Sequence, residues 1–152
     1  MIFNKDEGMY VGSIELGNAT STIEVDTGAP YSLISQSFLN KIYSDRTIDI
    51  SEIDSKVVPL RSFGSTIEKE YKVVSLRNVK MCDVNVNQMY FLVPTYISTS
   101  KILLGWDFLN ACTYSSGRDN DFIITGIDLD FYTDFWDKLN LKPFEICNLT
   151  KD

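Results

Sequence analysis

Ile23-Glu24-Val25-Asp26-Thr27-Gly28-Ala29-Pro30-Tyr31-Ser32-Leu33-Ile34 is the stretch that decides how this chain folds. Ile23 and Val25 alternate with polar residues, as on a half-buried strand. The pattern breaks at Asp26-Thr27-Gly28, and apolar residues resume at Leu33-Ile34. Taken alone, Asp-Thr-Gly fits an ordinary turn equally well. An aspartate side chain accepts hydrogen bonds from the backbone just beyond it, and glycine tolerates angles that other residues avoid.

Upstream, Met9–Leu16 places Tyr10, Ile14 and Leu16 on one face, Gly17-Asn18 supplies turn residues, and residues 20–25 return. This pattern predicts a β-hairpin ending at Asp26. Downstream, Ser35 is positioned to cap a short helix carrying Phe38, Leu39, Ile42 and Tyr43 at helical spacing. Residues 45–56 are polar and predict a loop. Residues 57–60 and 69–76 predict strands around the polar tip Arg61-Ser62-Phe63-Gly64-Ser65, and Val84–Val93 offers one or two more.

A second decisive stretch follows, Ile102-Leu103-Leu104-Gly105-Trp106-Asp107-Phe108-Leu109. It combines a short buried-strand signal, a glycine and the start of a brief helix. Residues 112–115 and Phe122–Ile127 then flank Ser116-Gly117 and Arg118-Asp119-Asn120, another hairpin pattern. In the tail, Phe131, Phe135 and Leu139 recur every four residues with Tyr132 and Trp136 beside them. This predicts an amphipathic helix packed on the body of the protein.

The order Val-Asp-Thr-Gly-Ala, then Ile-Leu-Leu-Gly-x-Asp-Phe-Leu, resembles the retropepsin-like aspartic peptidases of retroviruses, retrotransposons and cells. The resemblance covers about residues 9–127. It implies an all-β fold, a small closed barrel with one or two short helices, here with a C-terminal helical extension. The division expected is a peptidase domain over residues 1–127 and an extension over 128–152 that packs on the domain or the dimer. The resemblance also implies site roles. Asp26 would be the catalytic carboxylate, and Thr27, Gly28 and Ala29 its supporting loop. Thr27 would cross-link the two active-site loops, and Gly28 would let backbone approach the carboxylate. Leu103 and Leu104 would wall the site, and Gly105 would allow the turn into the helix. Phe63, Gly64 and Ser65 would form a flap over substrate. Asp107 is expected to be structural, capping its helix.

Aspartic peptidases need two carboxylates that share a proton. Asp-Thr-Gly occurs once here, and the length of 152 residues leaves no room for a second lobe. The implied enzyme is therefore a homodimer with one Asp26 from each chain, an endopeptidase acting on extended polypeptides. The alternative from another class is a peptide- or protein-binding module that keeps the fold without cleaving.

Composition removes several competitors. The net charge of −7 argues against a nucleic-acid partner. With no histidine in the chain, Ser-His-Asp and Cys-His catalysis and histidine-ligated zinc are excluded. Cys82, Cys112 and Cys147 are odd in number and lack CxxC spacing, which fits reduced thiols rather than a disulfide framework or a zinc site. The acids Asp119, Asp121, Asp128 and Asp130 lack the glycine and glutamate of a calcium loop. No metal or cofactor is expected. There is no signal-like run after Met1, and nothing approaches the roughly 20 apolar residues of a membrane span. Both absences predict a soluble, cytoplasmic protein with no membrane partner.

Overall fold

The computed structural model describes residues 1–44, 53–61, 68–93, 101–117 and 119–139, with 53–61 and 68–70 described through their backbone. Phe63, Gly64 and Ser65, and likewise Cys147, lie outside the described residues.

The elements run β1 (Ile2–Asp6), β2 (Met9–Leu16), β3 (Ala19–Val25), α1 (Gln36–Ser44), β4 (Ile53–Arg61), β5 (Glu68–Met81), β6 (Val84–Val93), β7 (Leu103–Leu104), α2 (Trp106–Leu109), β8 (Cys112–Ser116), β9 (Phe122–Ile127) and α3 (Leu129–Lys138). The strands join in one nine-stranded sheet among the described residues, with the path β4-β5-β2-β1-β9-β8. The sheet is almost wholly antiparallel and curls into a half-barrel, so the mainly β fold expected from the sequence is the fold observed.

The expected hairpin is present. β2 and β3 pair antiparallel from Tyr10↔Val25 to Leu16↔Ala19, with Ile14, Leu16, Ile23 and Val25 buried. Two other hairpins close on two-residue turns with positive φ at both positions, Glu7-Gly8 between β1 and β2 and Cys82-Asp83 between β5 and β6. These mirror-image turns match the right-handed twist of the strands they join.

Besides a β5 that continues past its expected end at residue 76 to Met81, the structure departs from the sequence reading in three places. β1 was not expected; it forms because β2 and β9 hold it on both sides. β4 begins at Ile53 within the expected loop, because its ladder with β5 runs from Ile53↔Leu76 to Arg61↔Glu68. In α1, Ser35 does cap the helix, its Oγ accepting from Phe38 N at 3.2 Å, and Phe38, Leu39 and Ile42 are buried. Tyr43, grouped with them by spacing, is instead exposed.

The core is one cluster that includes both the barrel and α3. Tyr132 and Trp136 are completely buried in it, both rings packing on Tyr90 and Tyr132 also on Phe108. Each such ring buries about 150–250 Å², so α3 is held by a large apolar transfer term. Asp128 caps α3, accepting from Phe131 N at 3.0 Å. Among the described residues no helix is long and apolar enough to cross a membrane.

Candidate active site

β3 carries the chain to Asp26, and β7 fixes where it arrives. The two strands pair in parallel, Glu24↔Leu103 and Val25↔Leu104. Glu24 N donates to Ile102 O at 2.9 Å and Asp26 N to Leu104 O at 3.0 Å. On its other side β7 is bridged by Leu33, whose N and O exchange hydrogen bonds with Leu103 at 3.0 and 2.9 Å. The loop of residues 26–33 therefore wraps around the end of β7. Its start is tied to Leu104 and its end to Leu103.

Within the loop, Ala29 N donates to Asp26 O at 3.1 Å and Gly28 N to Asp26 Oδ1 at 2.9 Å. The carboxylate thus closes its own turn, the side-chain bond that makes aspartate a turn former. A Cβ on Gly28 would stand 3.2 Å from Asp26 Oδ1, so glycine keeps the carboxylate uncrowded. Asp26 is half-buried, Thr27 and Gly28 are exposed, and Ala29 is buried. The loop is rigidly founded and presents its acid outward.

The two leucines divide. Leu104 is fully buried in the core, whereas Leu103 is partly exposed. Successive residues of a strand face opposite ways. Of the pair, Leu103 alone keeps surface to offer a substrate.

Gly105 is required for a reason other than the expected turn. Its φ of −106° is ordinary. The constraint is crowding, since a Cβ there would lie 2.7 Å from Ala29 O and 2.7 Å from the Tyr31 carbonyl carbon. Gly105→Ala is expected to cost about 1–3 kcal/mol through overpacking, measured as a lower urea midpoint; an unchanged midpoint would mean the loop backbone yields freely.

Trp106 and Asp107, beginning α2, hold the loop at four points. Trp106 Nε1 donates to Thr27 O at 2.7 Å, Trp106 N to Ala29 O at 3.0 Å and Asp107 N to Pro30 O at 3.0 Å. Asp107 Oδ1 accepts from Ser32 N at 2.8 Å and Ser32 Oγ at 2.7 Å, and Ser32 Oγ accepts from Gly105 N at 3.0 Å. Asp107 therefore binds across to Ser32, and the α2 N-cap, Gly105, makes no side-chain cap. Neither Ser32 as a partner nor the Trp106 indole carries a local signal by which it could have been foreseen.

Asp107 is 2 % exposed. Burial pushes it up to about 6 from 3.8, against the opposing hydrogen bonds from Ser32. The folded protein then holds a proton that the unfolded chain has lost. The stability this contributes is complete below pH 3.8 and is lost as pH rises through about 6. Asp107→Asn keeps an acceptor for Ser32 and is expected to remove that slope, on the order of 2–3 kcal/mol. Urea titrations at a series of pH values check this, and an unaltered slope would assign it to other groups.

Among the described residues no group of three metal-ligating side chains forms, the acids of the tail included.

No protein-family model matches the chain, and no curated protein matches it. Among solved structures, the chain is similar to the crystal structure of a retropepsin-like aspartic protease from Rickettsia conorii. The TM-score is 0.55 and the identity 16 %, over 82 % of this chain and 88 % of that one. At that identity the likeness concerns the fold: this chain has a retropepsin-like fold.

Proposed function

We propose that this chain is one half of an aspartic endopeptidase, active as a homodimer in which each copy contributes Asp26. In this reading residues 1–127 form the peptidase unit and 128–152 its extension. The observation that carries the reading is the Asp26 loop itself. Its backbone is anchored to Leu104 and its carboxylate oriented by Gly28 N, yet Asp26, Thr27 and Gly28 lie at the surface. A purely structural aspartate has no need of so firm a foundation for an outward-facing group.

Two such loops meeting on a twofold axis would bring two carboxylates together, where like charges favour retention of one shared proton. The ionised carboxylate takes a proton from water as the water attacks the peptide carbonyl. The protonated one donates to the carbonyl oxygen and stabilises the tetrahedral intermediate. Collapse passes a proton to the departing amine. Thr27 would meet its mate across the axis, Leu103 would line the cleft, and Phe63, Gly64 and Ser65 would cover an extended polypeptide.

A statine-type peptide, which mimics the tetrahedral intermediate, tests this by calorimetry. The expected result is saturation at one inhibitor per two chains, with loss of peptide cleavage at the same ratio. A chain that binds peptides one to one and leaves them uncut would overturn the peptidase reading in favour of a binding module.

A further inference from the structure

Three buried side-chain polar atoms among the described residues lack a partner in hydrogen-bond geometry: Glu24 Oε2, Asp107 Oδ2 and Trp136 Nε1. Glu24 Oε2 faces Lys101 Nζ at 3.6 Å and is compensated as an ion pair. The other two are an acceptor and a donor, and they are neighbours. The indole stabilises the charged form of Asp107 even though the pair stands short of good geometry. The same indole also stabilises the charged form of the Tyr132 hydroxyl; the sealed Asp107 Oδ2, a carboxylate oxygen with no partner in good geometry, favours closing the gap on its side.

The surroundings hold both groups in place. Trp136 stacks on Tyr90 with ring centroids 5.2 Å apart and lies 5.8 Å from Tyr31, which belongs to the Asp26 loop. One turn earlier, Tyr132 OH accepts from Tyr90 N at 2.7 Å and donates to Tyr90 O at 3.3 Å. α3 is thereby fixed to β6, and it also packs against α2, which carries Asp107. Asp107 in turn belongs to the dipeptide that holds the loop at Thr27, Ala29, Pro30 and Ser32.

We propose that Trp136 is a positioning residue for Asp26: its indole N–H binds Asp107 Oδ2, and Asp107 transmits the restraint through Ser32 and the α2 N-terminus to the loop that carries the acid. The catalytic consequence rests on the peptidase reading; the linkage itself is a property of the fold. It makes the C-terminal helix part of the site's foundation.

The titratable groups facing Asp107 are Tyr31 from the loop, Cys112 from β8 and Tyr132 from α3. Burial raises all three, Cys112 to about 12, so each stays neutral while Asp107 titrates near 6. An indole bonded to Asp107 Oδ2 must report that titration.

The chain has two tryptophans, so a ¹⁵N spectrum of the wild-type protein contains two indole N–H signals. The Trp136 signal is expected to shift with a midpoint near pH 6 and to stop shifting in Asp107→Asn. In Trp136→Phe, the amide signals of Ser32, Gly105 and Gly28 are expected to move. Its kcat should fall roughly tenfold with KM and dimerisation unchanged, the loss of one charge-assisted hydrogen bond that orders the site. A Trp136 indole signal indifferent both to pH and to Asp107→Asn would overturn the proposal, as would a Trp136→Phe protein with unmoved loop amides and wild-type kcat. Should Trp136→Phe not fold, the wild-type titration decides alone. If the wild-type protein cleaves nothing, the peptidase reading fails, while the titration and the amide shifts still judge the linkage.

Discussion

Asp26→Asn protein is expected to fold and associate like the wild type but to cleave peptide at least about a hundredfold more slowly, the scale of a lost general acid–base group. The fold should survive because Asp26 is tied in by its backbone, N to Leu104 O and O to Ala29 N. Its side chain makes one bond there, accepted from Gly28 N, and an asparagine oxygen accepts it equally. Chemistry is what the substitution removes. An amide neither takes a proton from water nor shares one with a facing carboxylate. Wild-type rates in Asp26→Asn would assign cleavage to other groups, and a lowered urea midpoint would give Asp26 a structural role after all.

Trp136→Ala should bring the largest loss of stability, about 3–5 kcal/mol for emptying a buried tryptophan site. Against the 5–15 kcal/mol that holds a typical domain together, that is enough to leave much of the protein unfolded on warming. The ring is completely buried and packs on Tyr31, Tyr90 and Phe135. Phe131, on the same helix but exposed, is the control, and its replacement by alanine should change the urea midpoint little. Equal effects at the two positions would mean that α3 is not anchored through Trp136.

What could be foreseen from the sequence was what local pattern encodes. Alternation around Gly17-Asn18 marked the β2–β3 hairpin, Ser35 marked the start of α1, and the fourfold spacing of tail aromatics marked α3. Asp26 and the Leu103-Leu104-Gly105 stretch were legible as two motifs in a fixed order, and the fold does join them side by side. β1 was hidden because, of its five residues, only Phe3 is buried, and its strand state is imposed by neighbours. The turn at Cys82-Asp83 was hidden because it adopts positive φ without glycine. The clasp on the Asp26 loop was beyond any local reading. Its bonds from Ser32 to Asp107, Gly105 to Ser32 and Trp106 to Thr27 join residues 75, 73 and 79 positions apart. Gly105 shows the same limit in reverse: its presence was legible, whereas its reason, the backbone of Ala29 and Tyr31 pressed against it, was not.

The requirement for two copies of Asp26 can be put to a mixing experiment. Wild-type and Asp26→Asn chains are combined in varying ratio at constant total concentration, equilibrated, and assayed for peptide cleavage. If each chain supplies one of two indispensable acids, only dimers of two wild-type chains are active, and an equal mixture retains about a quarter of the full rate. A rate that falls in simple proportion to the wild-type fraction, about half at equal mixing, would show each chain working alone and would contradict the account.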